Sequence, residues 1–192
     1  MSGIGEVGLP TAFYVIPGRH PLVRCLNLLH WPYSLLHLSF VVLGSMLAGD
    51  DLVVLGLLLA AFTGGMVIAA HALDLWLSKD PLRLGIQPIW LGILSAGGLM
   101  VGLASGGYLL ASSLAPLAYT GVVVFGIAGV VLYSGDVFLG LQGPDKMASF
   151  PLLWGAYPVW ASALAQDFSW SWPVLLASFY AALVSVIQRL LS

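Results

Sequence analysis

Apolar runs of helical length follow one another along most of the chain, separated by short polar breaks. From Leu28 onward this pattern predicts six spans: Leu28–Ala48, Leu52–Leu77, Ile89–Leu110, Leu114–Tyr133, Phe150–Ala165 and Trp172–Leu190. None shows the apolar–polar alternation of a membrane β-strand. Ser105-Gly106-Gly107 marks a place where the third span ends or kinks, and Pro158 predicts a kink or tilt in the fifth. Residues 1–26 lack a basic start and a compact apolar core, and Pro10, Pro17 and Pro21 interrupt them. They read as a juxtamembrane arm rather than a secretory signal. Residues 27–192 carry no linker or repeat and form one helical domain.

Composition sharpens this picture. Of 192 residues, 60% are hydrophobic and 7% charged, with a mean hydropathy of +1.01. Such values exclude an ordinary soluble domain and point to an all-α, polytopic membrane bundle. All six basic residues (Arg19, Arg24, Lys79, Arg83, Lys146 and Arg189) fall on one side of a six-span arrangement. The other side carries Asp50, Asp51 and Asp167. The positive-inside rule then places both termini in the cytoplasm, in a bacterial or archaeal cytoplasmic membrane, with no nucleic-acid partner expected. Cys25 is the one cysteine, so no disulfide forms within the chain. Glycines such as Gly64, Gly65, Gly97, Gly98 and Gly102 predict close helix packing. Trp31, Trp76, Trp90, Trp154, Trp170 and Trp172 lie near span ends, as interface anchors do.

The polar residues inside the apolar runs carry the candidate chemistry, because ionisable groups are costly in a bilayer. His30, Ser34 and His37 stand at i, i+4 and i+7 and share one face of the first helix, with Tyr33 beside them. His71 and Asp74 share a face of the second helix at the same cytoplasmic end, and Asp136 closes the fourth helix there. Imidazole with carboxylate is the ligand set of zinc, iron or manganese, and facing helices often supply it. His30, His37, His71 and Asp74 are therefore candidate metal ligands, and Tyr33 and Asp136 candidate catalytic groups. The plainer alternative is that each histidine hydrogen-bonds a neighbouring helix and fixes packing. Lys79 and Arg83 follow the Asp74 turn; they either hold an anionic substrate group or serve topology and headgroup contact. His20 lies outside the spans, at headgroup level.

Three stretches resemble a group of membrane proteins related to the UbiA-type prenyltransferases. They are His30-Trp-Pro-Tyr-Ser-Leu-Leu-His37-Leu-Ser, then Ala70-His71-Ala-Leu-Asp74 with Asp80-Pro81-Leu82, and Phe150-Pro-Leu-Leu-Trp154-Gly155-Ala-Tyr-Pro158 with Ala165-Gln166. The resemblance runs from about Arg24 to the end. It implies a UbiA-like bundle whose polar cavity opens to the cytoplasm. UbiA-type enzymes hold Mg²⁺ and a diphosphate on two aspartate-rich motifs. The positions resembling those motifs keep only Asp74 and Asp136, which disfavours Mg²⁺-dependent prenyl transfer and shifts the expected metal toward transition ions.

Two functions of different class follow as expectations. The first is a protein whose intramembrane His/Asp pocket binds a divalent metal and acts on a lipid or isoprenoid. The second is a non-catalytic subunit of a larger membrane complex or homo-oligomer, its histidines ligating haem or a chlorophyll-type pigment. No CxxCH motif is present, so covalent c-type haem is excluded.

Overall fold

The computed structural model describes residues 15–18, 20–77, 84–112, 116–134, 149–167 and 171–191, and every element among them is helical. A short helix, α1 (Pro21–Leu28), precedes six longer ones. These are α2 (Trp31–Ala48), α3 (Leu52–Leu77), α4 (Pro88–Ser112), α5 (Pro116–Ser134), α6 (Pro151–Ala156 continued by Tyr157–Gln166) and α7 (Trp172–Leu191). Within the described residues, Trp31–Ala48, Leu52–Leu77, Pro88–Ser112 and Trp172–Leu190 are long and apolar enough to cross a membrane. In α5 the apolar stretch is the shorter Leu117–Gly129. Of the six spans expected, four therefore meet the length and hydropathy a crossing helix needs.

The burial pattern is that of a protein in lipid. Large apolar side chains such as Leu35, Met100, Leu117, Leu176 and Phe179 face outward, while Ser45, Ser162 and Ser185 are fully buried. In water such a surface would be an extended sticky patch; against acyl chains it costs nothing.

Close packing is made by glycines. A Cβ on Gly44 of α2 would stand 2.1 Å from the Val159 carbonyl oxygen of α6. Gly64 and Gly98 let α3 and α4 touch backbone to backbone, and Gly155 does the same for α6 against Ala181 of α7. A Cβ on Gly65 or Gly97 would meet nothing within 4 Å, so their expected packing role is not seen. Contacts between Trp154 and His37, Val159 and Gly44, and Gln166 and Gly49 climb both helices together, so α2 and α6 run parallel. The pairs Ala61–Gly102 and Trp76–Gly92 show α3 and α4 antiparallel.

One polar clamp closes the end of the bundle that carries Asp50, Asp51 and Asp167. Gln166, the last residue of α6, donates from Nε2 to Ser45 Oγ (2.6 Å) and to the Asp51 carbonyl (2.9 Å), and accepts from the Asp51 N–H (3.3 Å). Asp51 itself caps α3 by accepting from the N–H groups of Val53 and Val54.

Several boundaries differ from expectation for identifiable reasons. The first predicted span splits into α1 and α2, because Pro32 in the first turn of α2 has no N–H to continue a helix from Leu28. His30 consequently lies between helices rather than within one. Ser105-Gly106-Gly107 does not end a helix; α4 runs through it.

Gly44→Ala is expected to destabilise the protein by about 1–3 kcal/mol or more, the cost of overpacking. Gly56→Ala, whose Cβ would meet nothing within 4 Å, should be neutral or slightly stabilising. Thermal unfolding of both variants in detergent checks the pair, and equal melting temperatures would contradict this packing.

Candidate functional site

The site is built by two departures from α-helical winding. In α3, residues Thr63–Ala69 form a π-helix, and the Ala70 N–H reaches back five residues to the Gly65 carbonyl. In α6, residues Pro151–Ala156 do the same, with the Tyr157 N–H bonded to the Leu152 carbonyl. π-turns are rare and concentrate at functional sites. In α6 the cause is legible: Pro158 cannot donate to the carbonyl of Trp154, four residues back, so the ordinary ladder fails there. The imidazole of His37, on the neighbouring helix, packs against Trp154 at this point. In α3 the segment contains Gly64 and Gly65 and ends just before His71.

Trp154 is the centre of the resulting cluster. Its indole is only 5% exposed. His71 stacks on it with ring centroids 5.5 Å apart and planes 20° apart, and His37 packs on it at 5.2 Å. Phe150 stacks on Trp154 at 5.9 Å and meets the edge of His37 at 6.1 Å. His30 completes the group, its ring 4.5 Å from that of His71. The three histidines expected to converge do so. They are organised by a tryptophan read from sequence as an interface anchor, and that assignment is corrected by its burial. Pro158, four residues after Trp154, is the sequence signal for the altered winding.

His30 is held in the left-handed region, at φ 47° and ψ 48°, and is the non-glycine residue with positive φ among the described residues. It makes no side-chain cap to α2, although its carbonyl accepts from the N–H groups of Tyr33 (2.9 Å) and Ser34 (3.2 Å). Ser34 Oγ donates to the Leu29 carbonyl, tying the α1–α2 break together. Strained backbone of this kind persists where surrounding structure over-determines it.

The other expected residues divide in two. Tyr33 lies partly buried in the first turn of α2, and Asp74 partly buried one turn beyond His71 on α3. Lys79, Arg83 and Asp136 lie outside the described residues. His20 caps α1, its Nδ1 accepting from the Leu22 N–H at 3.3 Å, and is exposed as expected.

An apolar cavity of about 120 Å³ opens beside the cluster, between α3, α4, α5 and α6. Met66, Leu99, Val123, Leu153 and Tyr157 line it, and so does Trp154. Gly65, Gly102, Gly106 and Gly126 belong to its lining, Gly126 making room for the Tyr157 ring. Tyr157 does not present its hydroxyl as a free group; it donates to the Val122 carbonyl at 2.9 Å.

Among the described residues no three His, Cys, Asp or Glu side chains are grouped to hold an ion. The geometry gives the reason: His30 and His71 adjoin each other, but His37 packs against the indole of Trp154. A haem or chlorophyll-type macrocycle exceeds this cavity, since a space of roughly 150 Å³ holds one benzene, and no described histidine lines it.

The chain matches no protein-family model, no curated protein and no solved structure.

His30→Gly separates strain from function. Glycine accepts the left-handed backbone freely, so this variant should be more stable by about 1 kcal/mol. A lower melting temperature than the parent would show instead that the His30 ring is needed for packing.

Proposed function

We propose that the protein is a six-span, UbiA-like membrane protein that binds a lipid or isoprenoid, a segment of the chain entering the cavity and the polar end resting against His30, His37 and His71. One observation carries this reading: Trp154 is both a wall of the apolar cavity and the ring on which His37 and His71 pack. Binding sites for small amphiphiles combine an apolar slot with a few convergent polar groups, and they form between helices of bundles.

Further features support the placement in the membrane. The parallel course of α2 and α6, with α3 antiparallel to α4, suits helices that alternate across a bilayer. Arg24 and Arg189 belong to the end that holds the imidazoles, while Asp51 and Gln166 meet at the other. That arrangement agrees with both termini in the cytoplasm. The UbiA-like reading is supported by convergence, since the three resembling stretches meet in space: His30 and His37 from the first, His71 from the second, Phe150 and Trp154 from the third.

Neutral imidazole offers one donor and one acceptor, so it can orient a polar headgroup without a counter-charge. The reading therefore needs no metal. Metal analysis of protein purified without chelator is expected to find no stoichiometric zinc, iron or manganese. A stoichiometric ion lost on His71→Ala would overturn this and bring Asp136 into the site.

The binding claim is tested by lipid extraction and mass spectrometry of the purified protein. A Cβ on Gly65 meets nothing within 4 Å, so Gly65→Leu should fill the cavity without unfolding the helix. The parent is expected to retain a near-stoichiometric isoprenoid or acyl-chain compound, and Gly65→Leu to lose most of it with unchanged circular dichroism. Equal retention by both would contradict a ligand in this cavity.

A further inference from the structure

The cavity beside Trp154 has a closed back and an open front. Its back is made by α3 and α6, where Leu58, Phe62, Met66, Trp154 and Ala161 are buried. Among the described lining residues two are exposed: Leu103 of α4, at 51%, and Ile127 of α5, at 39%. A side chain that borders the cavity and also faces outward stands at its mouth.

The two residues stand at one level. α4 ends at Ser112 and α5 begins at Pro116, so the pair forms a helical hairpin, and a Cβ on Gly106 would meet Val123 across it at 4.0 Å. Leu103 lies about 4.5 Å along α4 from Gly106, and Ile127 about 6 Å along α5 from Val123, in the same direction. They therefore face each other across the α4–α5 seam. Met100, Val124 and Phe125 are exposed around them, so the mouth is ringed by apolar side chains suited to lipid. Leu103 is about 22 Å from the Pro88 end of α4 and about 14 Å from the Ser112 end, a depth inside a hydrocarbon layer about 30 Å thick.

Size and distance decide what can use this mouth. A cavity of about 120 Å³ holds no more than one small ring or a short piece of chain, since roughly 150 Å³ holds one benzene. The imidazoles are farther off. Gly102, beside Leu103, abuts Ala61 and Gly65 of α3, which lie roughly 9–15 Å along that helix from His71. A ligand that spans from His71 to this level has more chain than the cavity encloses. The surplus leaves between Leu103 and Ile127.

We propose that the α4–α5 seam is a lateral mouth, and that the ligand is a long-chain lipid dissolved in the bilayer. It enters sideways between Leu103 and Ile127 and keeps the end of its chain in the membrane. A short, water-soluble amphiphile has no surplus chain to leave outside and meets no aqueous entrance at this depth. Leu103 and Ile127 are then specificity-determining residues: they set the width of the passing chain and impose no upper limit on its length. The assignment rests on the lipid-binding reading above and specifies the ligand's length and its route.

Binding of prenol, farnesol and geranylgeraniol to the full chain in detergent tests it, with Leu103→Trp and Ile127→Trp as variants that crowd the mouth from either helix. Met100→Trp is the control, because Met100 is 66% exposed on α4 and is not among the cavity's described lining. All three positions face outward, so the added ring meets detergent rather than the core. In the parent, geranylgeraniol is expected to bind at least as tightly as farnesol. Leu103→Trp or Ile127→Trp should weaken both long alcohols at least tenfold and change prenol, one isoprene unit long, less than twofold. Met100→Trp should change none of them. Geranylgeraniol binding tenfold more weakly than farnesol would show a closed slot and overturn the mouth. So would long-chain affinity untouched by both mouth variants, or prenol lost along with the long alcohols, which would make these residues part of the cavity wall alone. Either result leaves the lipid site standing. Binding of none of the three alcohols, together with no effect of Gly65→Leu on retained lipid, would remove the lipid-binding reading itself.

Discussion

A missing backbone N–H organises this protein's polar end. Pro158 withholds the donor that an α-helix would offer the Trp154 carbonyl, and in a hydrocarbon surrounding an unpaired carbonyl is expensive. The helix answers it by winding as a π-helix from Pro151 to Ala156, where His37 of α2 packs against Trp154. Once Trp154 is fixed, His71 stacks on its ring, His30 lies against His71, and the remaining indole surface walls an apolar cavity. Pro32 acts by the same physics at the start of α2, where the break leaves His30 in a left-handed turn.

The bundle that carries this site is tight at one end and open in the middle. Gly44, Gly64 and Gly155 bring backbones into direct contact, and Gln166 clamps the α2–α3 turn with three hydrogen bonds. Gly65 and Gly106 instead face the cavity with little or nothing against them. Glycine thus does two different jobs here: it closes some interfaces and keeps one space empty. In lipid both depend on shape rather than on hydrophobicity, since acyl chains are as apolar as the helix faces.

Much of this was legible in the chain. The apolar runs placed the long helices to within a few residues, and the segregation of Arg24 and Arg189 from Asp50, Asp51 and Asp167 anticipated the two ends. The spacing of His30, His37 and His71 anticipated one cluster. The position of Trp154 was not legible, because tryptophan near a span end usually anchors an interface, and the apolar runs carry no inward face to mark burial. The π-segments were hidden for a related reason: Pro158 announces a disturbance, but not whether a helix will kink or rewind. His30 seemed part of a continuous helix because hydropathy does not register the proline that follows two residues later. A metal site was the natural reading of three imidazoles and a carboxylate; His37 packs on the indole of Trp154, and Asp136 lies outside the described residues.

Photolabelling tests the account most directly. The measurement would use an isoprenoid alcohol bearing a diazirine on its chain, with the labelled residues mapped by peptide mass spectrometry in the detergent-purified protein. Binding beside Trp154 predicts saturable labelling concentrated on cavity residues such as Met66, Leu99, Val123 and Leu153, competed by unlabelled alcohol. Non-saturable labelling spread over outward residues such as Leu35, Leu117 and Phe179 would contradict it, and would leave the imidazole cluster as packing alone.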